Sequence, residues 1–270
     1  MNVAVIIPVY HGNELHYDFT KQTVESITIE NPEIKESRIY LIVNYSRPEY
    51  YPPNFLSPKI PLTIMDNPKG NHVGSAWNLG IKTTLQAGFD YVIVCNNDII
   101  FHKKAIDNLI DFAQKHQEYI LWTAGEWPNL RTIKTVDDAV FDDNFDEHPH
   151  FSCFMVSKKI VDTVGWFDEK LTMAYHEDGD MHYRILLSGN KAVKVSKARF
   201  YHYGSRTISV DDNIYAINRR SYESNRDYIK KKWNVDFHQK AYDPPEKIFE
   251  EEKDIYKFPF NDKLKDWRFW

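Results

Sequence analysis

The chain has 270 residues, 42% hydrophobic and 27% charged, a globular composition that allows one large domain or one domain with an appendage. A formal net charge of -5 speaks against a strongly electrostatic nucleic-acid binder. Its two cysteines, Cys95 and Cys153, form no Cys-x-x-Cys pair, which argues against a disulfide scaffold or structural zinc site and suits a reducing compartment.

In chain order, "NVAVIIPV" (2–9) is a buried strand ended by proline and followed by the polar break "YHGNE". A strand starting at Asn2 or Val3 leaves no room for a signal peptide. No window approaches the ~18 consecutive apolar residues of a membrane span, so a cytoplasmic protein is expected. "DFTKQTVESITIE" carries Phe19, Val24 and Ile27 at helical spacing. "RIYLIVN" is a second strand and "LTIM" a short third, after the proline-rich connection 52–61. "GSAWNLGIKTTLQAG" is a helix closed by Gly88. "YVIVC" is a strand that runs into Asn96-Asn97-Asp98, and "KKAIDNLIDFAQKH" and "YILWTA" follow as helix and strand. This alternation predicts an α/β fold, a mostly parallel central sheet with helices on both faces. In such sheets ligands gather beyond the carboxyl ends of the strands, where Asn96-Asn97-Asp98 falls. A plain strand-ending turn would also favour these residues.

The second half is more mixed. Residues 137–150 form an acidic loop, read as a solvated connection with a metal or acceptor role as the alternative. "FSCFMVS", "KAVKVS" and "ARFYHY" read as strands and "GDMHYRILLSG" as a helix. A long helix follows over 213–233, basic at its end, and the tail 234–270 is expected to wrap the domain or meet a partner. The basic run Arg219, Arg220, Arg226, Lys230, Lys231 and Lys232 reads as a solvated helix face. Peripheral contact with an anionic membrane face is the alternative, and a homodimer stays open.

Several site types are absent. No P-loop, no G-x-G-x-x-G after the first strand and no G-x-S-x-G occurs. His176 and His182 are six apart, which puts them on different faces of a helix. What remains is acids and amides at strand ends. Glu177, Asp178 and Asp180 crowd the start of a helix, more than capping requires, and a carboxylate held in a crevice can serve as general base.

Five stretches in order resemble family 2 glycosyltransferases of the glycosyltransferase-A fold, and within them the rhamnosyltransferase-like branch: "VAVIIPVY", "NPKGNHVGSAWNLGI", "CNNDI", "GWFDEKLTMAYHEDGDMHYRILLSG" and "YHYGSRT". The similarity runs from about residue 2 to 233. It implies a catalytic domain over 1–210, with a donor half near 1–100 and an acceptor half near 101–210, then a helical extension and tail over 211–270.

The resemblance further implies sugar transfer from a UDP- or dTDP-type nucleotide-sugar to a carbohydrate or glycan acceptor hydroxyl, with inversion, in polysaccharide or glycan synthesis. Mn²⁺ or Mg²⁺ would neutralise the leaving diphosphate, held by Asp98 with His202 as second ligand. Asp178, beside Glu177, matches the general base. Pro8, Tyr10, Asn44, Gly74, Asn78, Asn96 and Asn97 fall on the donor side, and Trp166 and Arg184 on the sugar or acceptor side. Asn96 replaces the first Asp of the D-x-D motif, and Asn44 an Asp that reads the base. The acceptor stays open among polysaccharide, lipid-linked sugar, protein and modified nucleic acid. Two other readings stand beside this one. A catalytically degenerate nucleotide- or sugar-binding module would give no turnover. A sugar-phosphate nucleotidyltransferase would need a glycine-rich loop where this chain has "PVYHGNE".

Overall fold

The structure, a computed structural model, describes residues 2–27, 38–52, 62–204, 208 and 210–233. The expected helix end at 28–30, most of the proline-rich connection, residues 205–207 of the late loop and the tail from 234 lie outside the described residues.

Strand β1 (Val3–His11) divides its side chains between two cores. Val3, Val5, Ile7 and Val9 enter one apolar cluster, and Ala4 and Ile6 the other. A strand covered on both faces reads as an unbroken apolar run, as this one does. β2 (Arg38–Ser46) and β4 (Tyr91–Cys95) lie parallel to β1 on either side, and β3 (Leu62–Asp66) lies parallel to β2. Helix α1 (Glu14–Ser26) packs on the first cluster and α2 (Val73–Gln86) on the second, so helices cover both faces. α1 begins before the expected Asp18 because Asn13 caps it, its side chain accepting the His16 N–H at 3.0 Å. Gly88, at φ +90, ends α2 in the left-handed conformation that glycine adopts without penalty.

Beyond β4 the sheet continues through β8 (Cys153–Ser157) and β6 (Leu121–Glu126), each antiparallel to its predecessor. β9 (Ala192–His202) is parallel to β6, and β5 (Ile99–Phe101) is antiparallel to β9. The order is β3-β2-β1-β4-β8-β6-β9-β5, with β7 (Phe145–Asp146) paired to β9. The two strands expected over 191–203 are one. Its register with β6 jumps from Ala124↔Val195 to Gly125↔Arg199, so Ser196 to Ala198 bulge without breaking the strand. Helices α3 (Ala105–Lys115), α4 (Lys158–Thr163), α5 (Glu177–Leu187) and α6 (Asp212–Trp233) complete the described chain.

The acidic loop is solvated, as expected, and lies along β9: its exposed Asp143 and Glu147 and half-buried Asp146 pair with Lys197, Lys191 and Lys194 at 2.9, 2.7 and 2.7 Å. One reading of a charged segment is corrected: Lys232 is not a solvated charge. Its side chain, 3% exposed, reaches Asp168 at 2.9 Å and Asp180 at 2.6 Å, while Tyr228 and the Trp233 indole N–H donate to the same two carboxylates. The end of α6 is therefore locked onto α5. Among the described residues no helix is long and apolar enough to cross a membrane.

Candidate active site

The parallel strands β1, β2 and β4 end at one edge of the sheet. There the chain has gone outward from β1 to β2 and β3 and returned on the other side to β4, which opens a crevice between adjacent crossovers. A cavity of about 410 Å³ occupies this edge. Pro8 and Tyr10 line it from β1, Asn44 from β2, Asn96, Asn97 and Asp98 beyond β4, Glu177 and Asp178 at the start of α5, and His202 at the end of β9.

The turn at 96–98 is braced from α1. The Thr23 hydroxyl lies 2.9 Å from the Asn97 carbonyl and 2.8 Å from that of Ile99, and the Asn97 side chain donates to Thr20 at 3.1 Å. The Asn96 N–H donates to the Ser152 carbonyl at 2.9 Å. Asp98 is thereby fixed, 3% exposed, with Oδ1 at 3.1 Å from Nε2 of His202. Glu126, at the end of β6, meets the other ring nitrogen of His202 at 2.9 Å. Burial alone would lower the His202 pKa, but the Asp98 and Glu126 carboxylates outweigh it and hold the imidazole above its ordinary 6.5.

This donor set can be tested against a divalent cation. One carboxylate and one imidazole, the latter oriented by a second carboxylate, suit Mn²⁺ or Mg²⁺ that takes its remaining ligands from phosphate and water. Among the described residues no three His, Cys, Asp or Glu side chains converge to hold a metal. The residues fit a cation shared with a substrate diphosphate rather than a cage made by the protein alone.

The two acids at the head of α5 differ in environment. Asp178 is half-buried, and its Oδ1 accepts the Gly179 N–H at 2.7 Å. Glu177 is 6% exposed, and burial, then the neighbouring Asp178 charge, push its pKa up to about 8. Burial and the neighbouring Asp178 carboxylate therefore favour the protonated form of Glu177. The segment before them is unusual: Met173, Tyr175 and His176 have φ of 59, 79 and 76, left-handed values that non-glycine residues rarely adopt. Asn225 of α6 holds this segment, its Oδ1 accepting the Thr172 N–H at 3.0 Å and its Nδ2 donating to Thr172, Ala174 and Tyr175 carbonyls at 2.8, 3.3 and 3.2 Å.

Four of the expected site residues do not line the cavity. Arg184 is buried against Asp180 at 2.9 Å and the Val164 carbonyl at 3.2 Å, an i,i+4 ion pair inside the fold. Trp166 is half-buried against the second core cluster. Asn78 clasps the backbone of Phe167, accepting its N–H and donating to its carbonyl, both at 2.9 Å, and donates to Glu169 at 2.8 Å. Gly74 sits where a Cβ would meet the Asp168 carbonyl oxygen at 3.7 Å, an ordinary packing distance. Asn44 lines the cavity, but Asn67 donates to its Oδ1 at 2.7 Å, leaving one lone pair for a base N–H. Glu126, Asn67 and Asn225 escaped the sequence reading. Asn67 opens the "NPKG" stretch and could have been found there, whereas Glu126 and Asn225 carry no local signal.

A family model described as glycosyl transferase family 2 matches residues 4–163. No curated protein matches the chain. Two solved structures share the fold. The first is a crystal structure of GalNAc-T7 with UDP, GalNAc and Mn²⁺: TM-score 0.57, 13% identity, covering 74% of this chain and 43% of that one. The second is the mannosyltransferase PcManGT from Pyrobaculum calidifontis with GDP-Man and Mn²⁺: TM-score 0.56, 11% identity, covering 89% of this chain and 69% of that one. The chain thus spans less than half the length of the first.

Proposed function

The chain belongs to glycosyl transferase family 2 and has the glycosyltransferase-A fold, and on that premise we propose that it transfers a sugar from a nucleotide-sugar to an acceptor hydroxyl with inversion. The observation that carries this reading is one cavity at the strand carboxyl ends that joins the Asp98–His202 pair to the Asp178 carboxylate. The two structural neighbours bear on it as well, one holding UDP with GalNAc and the other GDP-Man, both with Mn²⁺.

In this reading Asp98 and His202 hold a divalent cation, Mn²⁺ or Mg²⁺, which when bound neutralises the charge of the diphosphate leaving group. Tyr10 stacks on Tyr45 with ring centroids 5.0 Å apart, which extends a flat aromatic surface beside Asn44 at the donor end. Asp178 accepts the proton of the acceptor hydroxyl as that oxygen bonds to the anomeric carbon. The bond from that carbon to the diphosphate oxygen breaks, and its electron pair leaves with the nucleotide. Attack from the face opposite the leaving group inverts the anomeric centre. The donor in this reading is a UDP- or dTDP-linked hexose or deoxyhexose.

Calorimetric titration with UDP, dTDP and GDP, each with and without Mn²⁺, tests the reading. Metal-dependent binding of one nucleotide supports it and names the donor class. Absence of binding to all three rejects it, and binding without turnover of the matching sugar nucleotides indicates a non-catalytic module.

A further inference from the structure

Helix α6 turns one face to the body of the protein through Ile214, Asn218, Tyr222, Asn225, Ile229 and Trp233, spaced three or four apart. Two of these are buried asparagines, and the contrast between them is informative. Asn225 has both ends of its amide bonded to the 172–175 segment. Asn218 is 5% exposed and lines the cavity, yet its Oδ1 meets no hydrogen-bond partner. A buried acceptor left unsatisfied is rare in folded proteins and weakens the fold. An apolar residue would serve packing better at this place in the stripe.

Three further polar atoms of the same cavity wall share this condition: the indole N–H of Trp77 on α2, Oδ1 of Asn71 just before that helix, and Nδ1 of His150. One indole donor, two amide acceptors and one imidazole nitrogen, from separate parts of the chain, fit a ligand whose groups both donate and accept. Hydroxyls do so, and a sugar carries several. The course of α6 locates Asn218 within the cavity. At the start of the helix Asp211 lies against Gly12, where an added Cβ would meet its carboxylate at 3.2 Å, beside Tyr10 and the donor end. Further along, Asn225 holds the segment that leads into Asp178. Asn218 stands between these two points on the same helix.

We propose that Asn218 is a specificity-determining residue, whose amide hydrogen-bonds a sugar hydroxyl between the donor end of the cavity and Asp178. The proposal rests on the glycosyl-transfer reading. α6 is then part of the substrate site as well as a brace for the catalytic segment.

The test compares the wild type with Asn218→Leu and Asn218→Ala. Unliganded Tm is measured first, then affinity for UDP, dTDP and GDP with Mn²⁺, for UDP-GalNAc, UDP-glucose, dTDP-glucose, dTDP-rhamnose and GDP-mannose, and for free glucose, galactose, mannose and rhamnose on nucleotide-loaded protein. The expected result is an unchanged or raised Tm for the Leu variant, nucleotide affinity within about twofold, and a loss of about tenfold in one sugar arm, the scale of one hydrogen bond. Loss on the sugar nucleotides places the hydroxyl on the donor. Loss on the free sugars places it on the acceptor. Unchanged sugar affinities in both variants overturn the proposal, whatever the Tm. If the wild type binds no nucleotide, the glycosyl-transfer reading fails instead. Free sugars titrated on unloaded protein then still test Asn218, and no difference between wild type and variants overturns its role.

Discussion

Asp98 and His202 are 104 residues apart in the chain, yet Oδ1 and Nε2 lie 3.1 Å apart. The antiparallel pairing of β5 with β9 sets Ile99 opposite His202, so the residue before one strand meets the last residue of the other. Asp98→Ala removes the carboxylate of this pair, and nucleotide affinity should lose its dependence on Mn²⁺. Calorimetry with the metal and with a chelator checks this. Equal metal dependence in variant and wild type would remove Asp98 from the metal site.

Glu126 meets the His202 ring on the side away from Asp98, its Oε1 2.9 Å from Nδ1, and the same oxygen lies 3.4 Å from Nε2 of His150. Carboxylates in that position orient a ligating imidazole, and their loss typically weakens metal binding about 10- to 100-fold. Glu126→Gln should therefore raise the Mn²⁺ concentration needed for half-maximal nucleotide binding by that factor, with nucleotide affinity at saturating Mn²⁺ little changed.

Asp178→Asn keeps the shape of the site and removes the base. Nucleotide affinity should stay within about twofold, while transfer falls by about 10²- to 10⁴-fold, the usual contribution of a positioned general base. Full transfer by this variant would refute the assignment.

Glu177 gives a pH signature of stability. Its carboxyl goes from an ordinary 4.5 unfolded to about 8 folded, so between those values the folded state binds the extra proton. The contribution from protonated Glu177 is complete below 4.5 and is lost as pH rises through about 8. Glu177→Gln abolishes this dependence, and its Tm should gain on the wild type from pH 5 to pH 8 in a series of thermal melts. A constant Tm difference across that range would show that Glu177 is not held protonated.

Lys232 is the shared cation of Asp168 and Asp180. Lys232→Met leaves two buried carboxylates with less compensation, a change that costs about 3–5 kcal/mol in buried pairs. Denaturant unfolding should show a loss of that order. A loss below about 1 kcal/mol would mean that the pair is solvated in solution.

The strand–helix alternation was legible in the sequence because it rests on local rules. β1 is apolar from Val3 to Val9 because both faces are covered, α2 ends at Gly88 because only glycine takes that φ freely, and Asn13 offered a cap signal that the reading passed over. The position of Asn96-Asn97-Asp98 at a strand end, and hence at the ligand edge, followed from the same pattern.

What each side chain meets was not legible. Glu177, Asp178 and Asp180 crowd one helical turn, yet the first two line the cavity while Asp180 turns inward to Arg184, Lys232 and Trp233. The basic end of α6 read as solvated until the packing of that helix on α5 buried Lys232. Asn218 and Asn225 are alike as letters. One is satisfied by the backbone of 172–175 and the other opens on a cavity. Backbone periodicity and the ends of helices and strands depend on neighbours a few residues away, and so the sequence by itself determined them. Partners depend on strand register and helix packing across up to a hundred residues, which no local pattern encodes, and only the tertiary structure decided them.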